Sequence, residues 1–251
     1  MSTTAGLFTW HELATRDPGR ALAFYAQLFG WETAEDGVCA QAGQRFASVT
    51  TSTAPPQVPA FWLPFIAVAV AVAVAADDVA AKVEQACALG ARLVRPPATL
   101  ADPRGALVGL RAAEPSGAAT LEAPRAGQFC WDELLTDDPE SAAAFYAALL
   151  GYAIEPVDMG PLGVYRLLKR GDLPVAGVMK HPEGLHPHWI PYLAVDDVDA
   201  ETRRAADLGA KVYFAGRDIP GVGRLSGIDD PTGAGVCLFR GAAGLRPARR
   251  R

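Results

Sequence analysis

Glu12 and Glu133 are the residues of this 251-residue chain whose type and spacing best suit acid–base chemistry. Each stands two residues beyond a tryptophan, Trp10 or Trp131, in a Trp-x-Glu-Leu stretch that occurs twice. On a strand a two-residue step returns to the same face, so each carboxylate shares a surface with an indole. A carboxylate among apolar groups loses hydration and titrates high unless it is paired. That suits a general acid or base, or an acceptor for a ligand's donor. The structural alternative is that each glutamate pairs with an arginine such as Arg45 or Arg166, or caps a backbone group. Trp10, Trp131, Trp189, Tyr165 and Tyr192 offer flat faces for a planar aromatic ligand. Core packing is the competing role, and the favoured one for Trp62 and Trp189.

Other chemistry-bearing side chains are sparse. Of four histidines, three crowd into the proline-containing segment His181 to His188, read as solvated or capping positions before a strand. By period two, His188 alone shares a face with Ile190 and Tyr192, whereas His11 alternates away from Trp10 and Glu12, toward a helix-packed face or an edge. The four cysteines lack the paired spacing of a disulfide framework or zinc knuckle, which points to a reducing, cytoplasmic setting. Cys237 reads as a buried, inert thiol rather than a nucleophile. Gly221-Val222-Gly223 lacks the strand-turn-helix setting of a phosphate loop. A net charge of -5 argues against nucleic acid or an anionic membrane as partner. The most apolar run, Phe65 to Ala76, falls short of the roughly 20 residues that span a bilayer, and Met1 to Gly6 offer neither a basic nor an apolar region, so export is not expected.

An internal repeat positions these residues. From Gly6–Trp31 against Gly127–Tyr152, 15 of 26 positions are identical without a gap. The match resumes at Phe61–Val68 with His188–Val195, at Asp77-Asp78-Val79 with Asp196-Asp197-Val198, at Leu89-Gly90-Ala91 with Leu208-Gly209-Ala210, and at Pro115-Ser116-Gly117 with Pro231-Thr232-Gly233. The expected organisation is a first domain over 6–123, a linker at 124–126, a second domain over 127–240 and a flexible tail over 241–251. Each repeat opens with an alternating strand. Asp17-Pro18 or Asp138-Pro139 then caps a helix with proline in its first turn, and Gly30 or Gly151 stops it. A second strand–helix succession follows, giving four βαβββ-like units. In the second repeat its helix starts at the Asp196-Asp197 cap. The first repeat carries an extra Ala-Val tract, residues 69–76, read as a tolerated slippage insertion with strand-like alternation.

The Asp-Pro helix start, the Phe-Tyr pair inside the helix, the exits Leu28-Phe29-Gly30-Trp31 and Leu149-Leu150-Gly151-Tyr152, and the turn Asp230-Pro231-Thr232-Gly233 resemble the vicinal oxygen chelate superfamily, the glyoxalase and bleomycin-resistance group. The resemblance covers residues 6–240. It implies an α+β fold of tandem βαβββ modules, with half-barrel sheets and helices outside, around a cavity that often holds a divalent metal. The positions matching the usual ligands are Trp10 and Trp131 on the first strands, Ile190 on the later strand, and Cys237 or Leu121 on the last. Indole and isoleucine cannot ligate a metal, so no metal centre and no cofactor are expected.

Two readings follow in nearly equal standing: an isomerase, lyase or cyclase using Glu133 or Glu12, or a protein that sequesters an aromatic or carbonyl-bearing metabolite or drug without turning it over. In both, Trp131, Trp10, Tyr165, His188, Tyr192 and Cys237 line the ligand space. A third reading keeps metal catalysis with the unusual ligands His188, Glu133 and Cys237. The expected partner is a small molecule, and the expected assembly a monomer or homodimer.

Overall fold

The computed structural model describes residues 4–68, 75–113 and 124–242. The first half runs β1 (Phe8–Thr15), α1 (Pro18–Phe29), β2 (Glu32–Thr33), β3 (Val38–Gln41), β4 (Gln44–Thr51), β5 (Phe61–Val68), α2 (Ala75–Ala88), β6 (Arg92–Arg95), β7 (Thr99–Ala101) and β8 (Leu107–Ala112). The second half repeats it as β9 (Phe129–Thr136), α3 (Pro139–Leu150), β10 (Ala153–Asp158), β11 (Val164–Arg170), β12 (Leu173–Lys180), β13 (His188–Ala194), α4 (Val198–Asp207), β14 (Lys211–Ile219), β15 (Gly223–Asp229) and β16 (Gly235–Gly241). These are four βαβββ modules in two eight-stranded mixed sheets, an α+β fold, as the repeat implied. The orders are β2-β3-β4-β1-β5-β8-β7-β6 and β10-β11-β12-β9-β13-β16-β15-β14. Modules therefore pair within a half, through antiparallel β1–β5 and β9–β13.

Helix ends follow the sequence signals. Asp17 accepts the backbone N–H of Arg20 at 3.0 Å and Asp138 that of Ser141 at 3.1 Å, each followed by proline in the first turn. Gly30 and Gly151 close the same helices in the left-handed conformation, where a side chain would be strained.

The halves share their interior. One core joins Ile66, Val83, Leu100 and Val108 of the first half to Tyr146, Leu149, Leu168 and Trp189 of the second. The other joins Phe24, Tyr25, Leu28 and Trp62 to Leu193, Val198, Ile228 and Leu238. Reciprocal hydrogen-bond chains run through them. Trp62 Nε1 donates to the Tyr25 hydroxyl at 3.0 Å, which donates to Asp230 at 3.1 Å; Trp189 donates to Tyr146 at 3.1 Å, which donates to Asp102 at 3.1 Å. Each aspartate spends its other oxygen on its own turn: Asp102 on the N–H groups of Arg104 and Ala106, Asp230 on those of Thr232 and Ala234. Between the first strands, His11 Nε2 lies 2.8 Å from Asp132 Oδ1, with both side chains 4% exposed and the imidazole stacked on Phe129 at 3.8 Å.

Two alignments of the repeat need correction, and one helix starts earlier than its counterpart. The counterpart of the Asp230 turn is Asp102-Pro103-Arg104-Gly105, not Pro115-Ser116-Gly117, because Asp102 and Asp230 make the same local hydrogen bonds (Asp102 N–H to Ala106 O, Asp230 N–H to Ala234 O). Likewise β8 stands where the second half has β16: Phe65 pairs with Gly109 as Tyr192 pairs with Cys237, so Gly109 holds the place assigned to Leu121. Leu121 lies outside the described residues. The Ala-Val tract lies mostly outside them too, but its Ala75 and Ala76 open α2, so Asp77-Asp78 sit inside a helix that Asp197 merely caps in the other half. Alanine's helix preference accounts for the earlier start.

Tyr146→Phe removes one hydroxyl and leaves both Trp189 and Asp102 short of a buried partner. Denaturant unfolding is expected to show a loss of about 1–3 kcal/mol, still in a single transition because each core draws on both halves.

Candidate functional site

Alternation along β9 sends Asp132 and Leu134 into the shared interior and Trp131 and Glu133 to the face turned away from the helices. Register gathers the rest of the cluster. Tyr192 on β13 lies opposite both Trp131 and Cys237, and Glu133 lies opposite Ile190 and Gly177. Glu133 is 5% exposed, and its carboxylate accepts a hydrogen bond from the Tyr192 hydroxyl. Among the described residues it has no ion pair. Trp131 Nε1 donates to the Tyr165 hydroxyl at 3.0 Å. Tyr165 lies across Gly177, where a Cβ would overlap the phenol oxygen, so the glycine is what admits the ring. Phe214 covers Gly227 in the same way.

Burial sets the electrostatics. It pushes the Glu133 carboxyl up to about 7, against the opposing hydrogen bond from Tyr192. The same burial, reinforced by Glu133, holds the Tyr165 and Tyr192 hydroxyls and the Cys237 thiol protonated well above their ordinary ranges. A buried thiol so raised is no nucleophile. What the cluster offers at neutral pH is one titrating carboxyl, two phenols able to donate, and flat apolar walls.

The first sheet has the same frame and different occupants. Trp10 Nε1 donates to Ser48 Oγ at 3.2 Å, Ser48 standing where the second half has Gly177. Glu12 accepts from Arg95 Nη2 at 2.7 Å, and the Arg111 guanidinium lies 5.2 Å over the Trp10 ring. Neither Arg45 nor Arg166 serves a site glutamate; Arg166 faces Glu140 at 3.6 Å.

The sequence-derived residues thus separate. Trp131, Glu133, Tyr165, Tyr192 and Cys237 come together on the second sheet, and Trp10 and Glu12 on the first. His188 stands apart at the start of β13, its Nδ1 2.8 Å from the His186 carbonyl. His181, expected to be solvated or capping, is 6% exposed, its Nδ1 held at the Pro182 carbonyl and its Nε2 unpartnered among the described residues. Sequence reasoning missed Arg95, Arg111, Ser48 and Phe214. Counting four residues on from Ala91 and Ala210, already matched, would have set Arg95 against Phe214.

A divalent metal does not fit these donors. The ligand positions implied by the sequence hold Trp131, Ile190 and Cys237 in the second half, and Trp10 and Gly109 among those of the first. No group of three or more His, Cys, Asp or Glu able to hold an ion occurs among the described residues. Nor, among those residues, is any helix long and apolar enough to cross a membrane.

A family model described as a glyoxalase-like domain matches residues 10–130 and again 128–239. CFP32 of Mycobacterium tuberculosis, a glyoxylase candidate, is 36% identical over 250 residues, covering 91% of this chain and 92% of its own. The anthracycline biosynthesis protein DnrV of Streptomyces peucetius is 31% identical over 267 residues, covering 93% and 92%. Among solved structures, the Mn(II)-bound glyoxalase of Novosphingobium aromaticivorans superposes with a TM-score of 0.60 at 17% identity, over 95% of this chain and 83% of that one.

Because the native Glu133 holds its proton above the unfolded range, the unfolded chain releases that proton first as pH rises. Stability associated with this group is therefore present below about 4.5 and is lost progressively up to about 7. Glu133→Gln keeps an acceptor for Tyr192 and removes the titration. The variant is expected to be more stable than the parent at pH 8, by on the order of 3 kcal/mol, and to flatten the decline in melting temperature between pH 5 and 8. An unchanged pH profile would show that the carboxyl titrates normally.

Proposed function

We propose that this chain, which belongs to the glyoxalase-like domain family of the vicinal oxygen chelate superfamily, binds a small aromatic or carbonyl-bearing molecule against its second sheet and moves a proton on it through Glu133. The observation that carries this reading is the carboxyl itself: buried, without an ion pair among the described residues, and titrating near neutrality beside phenols and an indole. Such a group weakens the folded state, and a strained placement of that kind is characteristic of active sites. The relative named for anthracycline biosynthesis supports a polycyclic aromatic ligand.

The chemistry is a proton transfer at carbon. With ligand bound, the Glu133 carboxylate accepts a proton from the carbon beside a carbonyl group; the C–H electron pair moves toward the carbonyl oxygen, where negative charge develops. Tyr165 accepts the Trp131 indole hydrogen and so has its own O–H to donate to that oxygen. Tyr192 holds the carboxylate in place until the ligand displaces it. Return of the proton from Glu133 to a different carbon completes an isomerisation, and loss of a neighbouring leaving group instead completes a lyase reaction. No step calls on a metal, in keeping with a donor set that does not suit one.

The second reading, sequestration without turnover, is favoured by one feature: the aromatic side chains Tyr165 and Phe214 press onto glycines and pave the face for stacking. One experiment separates the two. With 2-tetralone in deuterated buffer, wild-type protein is expected to accelerate exchange of the hydrogens beside the carbonyl, with a rate that rises through pH 7 and then levels. Glu133→Gln should slow this about 100-fold or more while tetralone quenching of tryptophan fluorescence changes less than about threefold. Quenching without exchange, in parent and variant alike, would leave sequestration as the function.

A further inference from the structure

Register lays the helix-free face of the second sheet out in two parallel files. In the first, Phe214 pairs with Gly227, Gly227 with Cys237, Cys237 with Tyr192 and Tyr192 with Trp131. In the second, Lys211 pairs with Asp229 and Asp229 with Gly235, while Ile190 pairs with Glu133 and Glu133 with Gly177. Gly235 joins the two parts of this file: a Cβ there would lie 3.6 Å from Asp229 Oδ1 and 3.8 Å from Ile190 Cδ1. Asp229 therefore shares a face with Glu133, whereas Ile228, just before it, is buried in the core on the other side. In the first half Ala101 and Leu107 hold the places of Asp229 and Gly235. The acid and the glycine that leaves space beside it occur together, on the sheet that carries the Glu133 cluster.

The two oxygens of Asp229 are placed differently. Oδ2 accepts the hydroxyl of Tyr213, an exposed residue at the irregularity of β14. Oδ1 lies over Gly235 and receives no hydrogen bond among the described residues. Lys211 is turned onto the Tyr213 ring, its Nζ 4.7 Å from the centroid, and makes no ion pair among those residues. Burial raises the Asp229 carboxyl above its ordinary range, against the hydrogen bond from Tyr213 and the charge of Lys211. A half-buried carboxylate oxygen without a donor gains by meeting an O–H. The oxygen beside it already holds a phenol. Asp229 leans over β16 and Glu133 toward Tyr192 on the adjoining β13, so one to two strand spacings, roughly 5–10 Å, separate the carboxyls. A fused two-ring molecule bridges such a gap.

We propose that Asp229 determines which molecules bind beside Glu133, and that it selects hydroxylated aromatic ketones. The carbonyl end lies at Glu133 and Tyr165, and a phenolic O–H at the far end donates to Asp229 Oδ1. The assignment rests on the reading of the second sheet as a ligand face, but not on turnover there.

Calorimetric titration of the full chain with 6-hydroxy-2-tetralone, 2-tetralone and 6-methoxy-2-tetralone tests it, since the last two lack the donor and only the last adds bulk. The hydroxy ketone is expected to bind at least about tenfold tighter than either, as one hydrogen bond to a charged group provides. Asp229→Ala should weaken the hydroxy ketone about tenfold or more and the other two by less than about threefold. Asp229→Asn, which keeps an acceptor for Tyr213 but not the charge, should fall between parent and alanine variant. Glu133→Gln should retain the preference for the hydroxyl. Circular dichroism and thermal melting establish that each variant is folded. A parent protein that prefers the hydroxy ketone yet exchanges no hydrogen defeats proton transfer and upholds Asp229 as the selecting residue. Equal affinity for the three ketones, a preference that survives Asp229→Ala, or one lost in Glu133→Gln would overturn the proposal, whether or not exchange occurs.

Discussion

A tyrosine hydroxyl buried in one half of the chain finds its carboxylate in the other half, and this happens twice. Tyr25 reaches Asp230 and Tyr146 reaches Asp102, each tyrosine also taking an indole hydrogen from its own half. Neither phenol can be dehydrated alone without leaving polar groups unsatisfied. The tyrosine belongs to the Phe-Tyr pair of a first-module helix, and the aspartate to the turn before β8 or β16. Two motifs far apart in the chain are thus halves of one contact. Because the contact lies on the helix side of the sheets, the opposite faces are released from the work of holding the fold together, and side chains there can change at little cost to stability.

That freedom has been used differently in the two halves. On the second sheet the carboxylate of the Trp-x-Glu stretch lies under a phenol and titrates near 7. On the first, the same carboxylate meets a guanidinium at 2.7 Å. A glycine in one sheet and a serine in the other decide which hydroxyl receives the tryptophan N–H: the side chain of Tyr165 across Gly177, or Ser48 itself. Small residues at the sheet surface therefore select which large ones can lie flat on it.

Much of this was legible in the sequence. Asp-Pro starts and glycine stops fixed the ends of α1 and α3, because capping is local and each signal acts within one turn. Period-two alternation put Trp131 and Glu133 on one face and sent His11 to the other. Harder to read were the partners across strands. Arg95 lies 83 residues from Glu12, and only register brings them together. The first-half counterpart of the Asp230 turn was also misplaced, since Pro115-Ser116-Gly117 imitates its composition, while Asp102-Pro103-Arg104-Gly105 has its hydrogen bonds. Histidines close in sequence proved unrelated in role: His188 turns to a neighbouring carbonyl while His181 is buried.

The His11–Asp132 contact carries a consequence for how such a molecule can be assembled. Positions 11 and 132 are equivalent in the repeat, yet they hold a base and an acid that meet at 2.8 Å in a dry setting. Two identical halves meeting in the same way would oppose aspartate to aspartate, or histidine to histidine, and neither twin arrangement sets a carboxylate against an imidazole. Joining both halves in a single polypeptide guarantees an unlike pair in every molecule. Fusion thereby frees the seam from the self-complementarity that symmetry would impose, and makes each half the obligatory mate of the other.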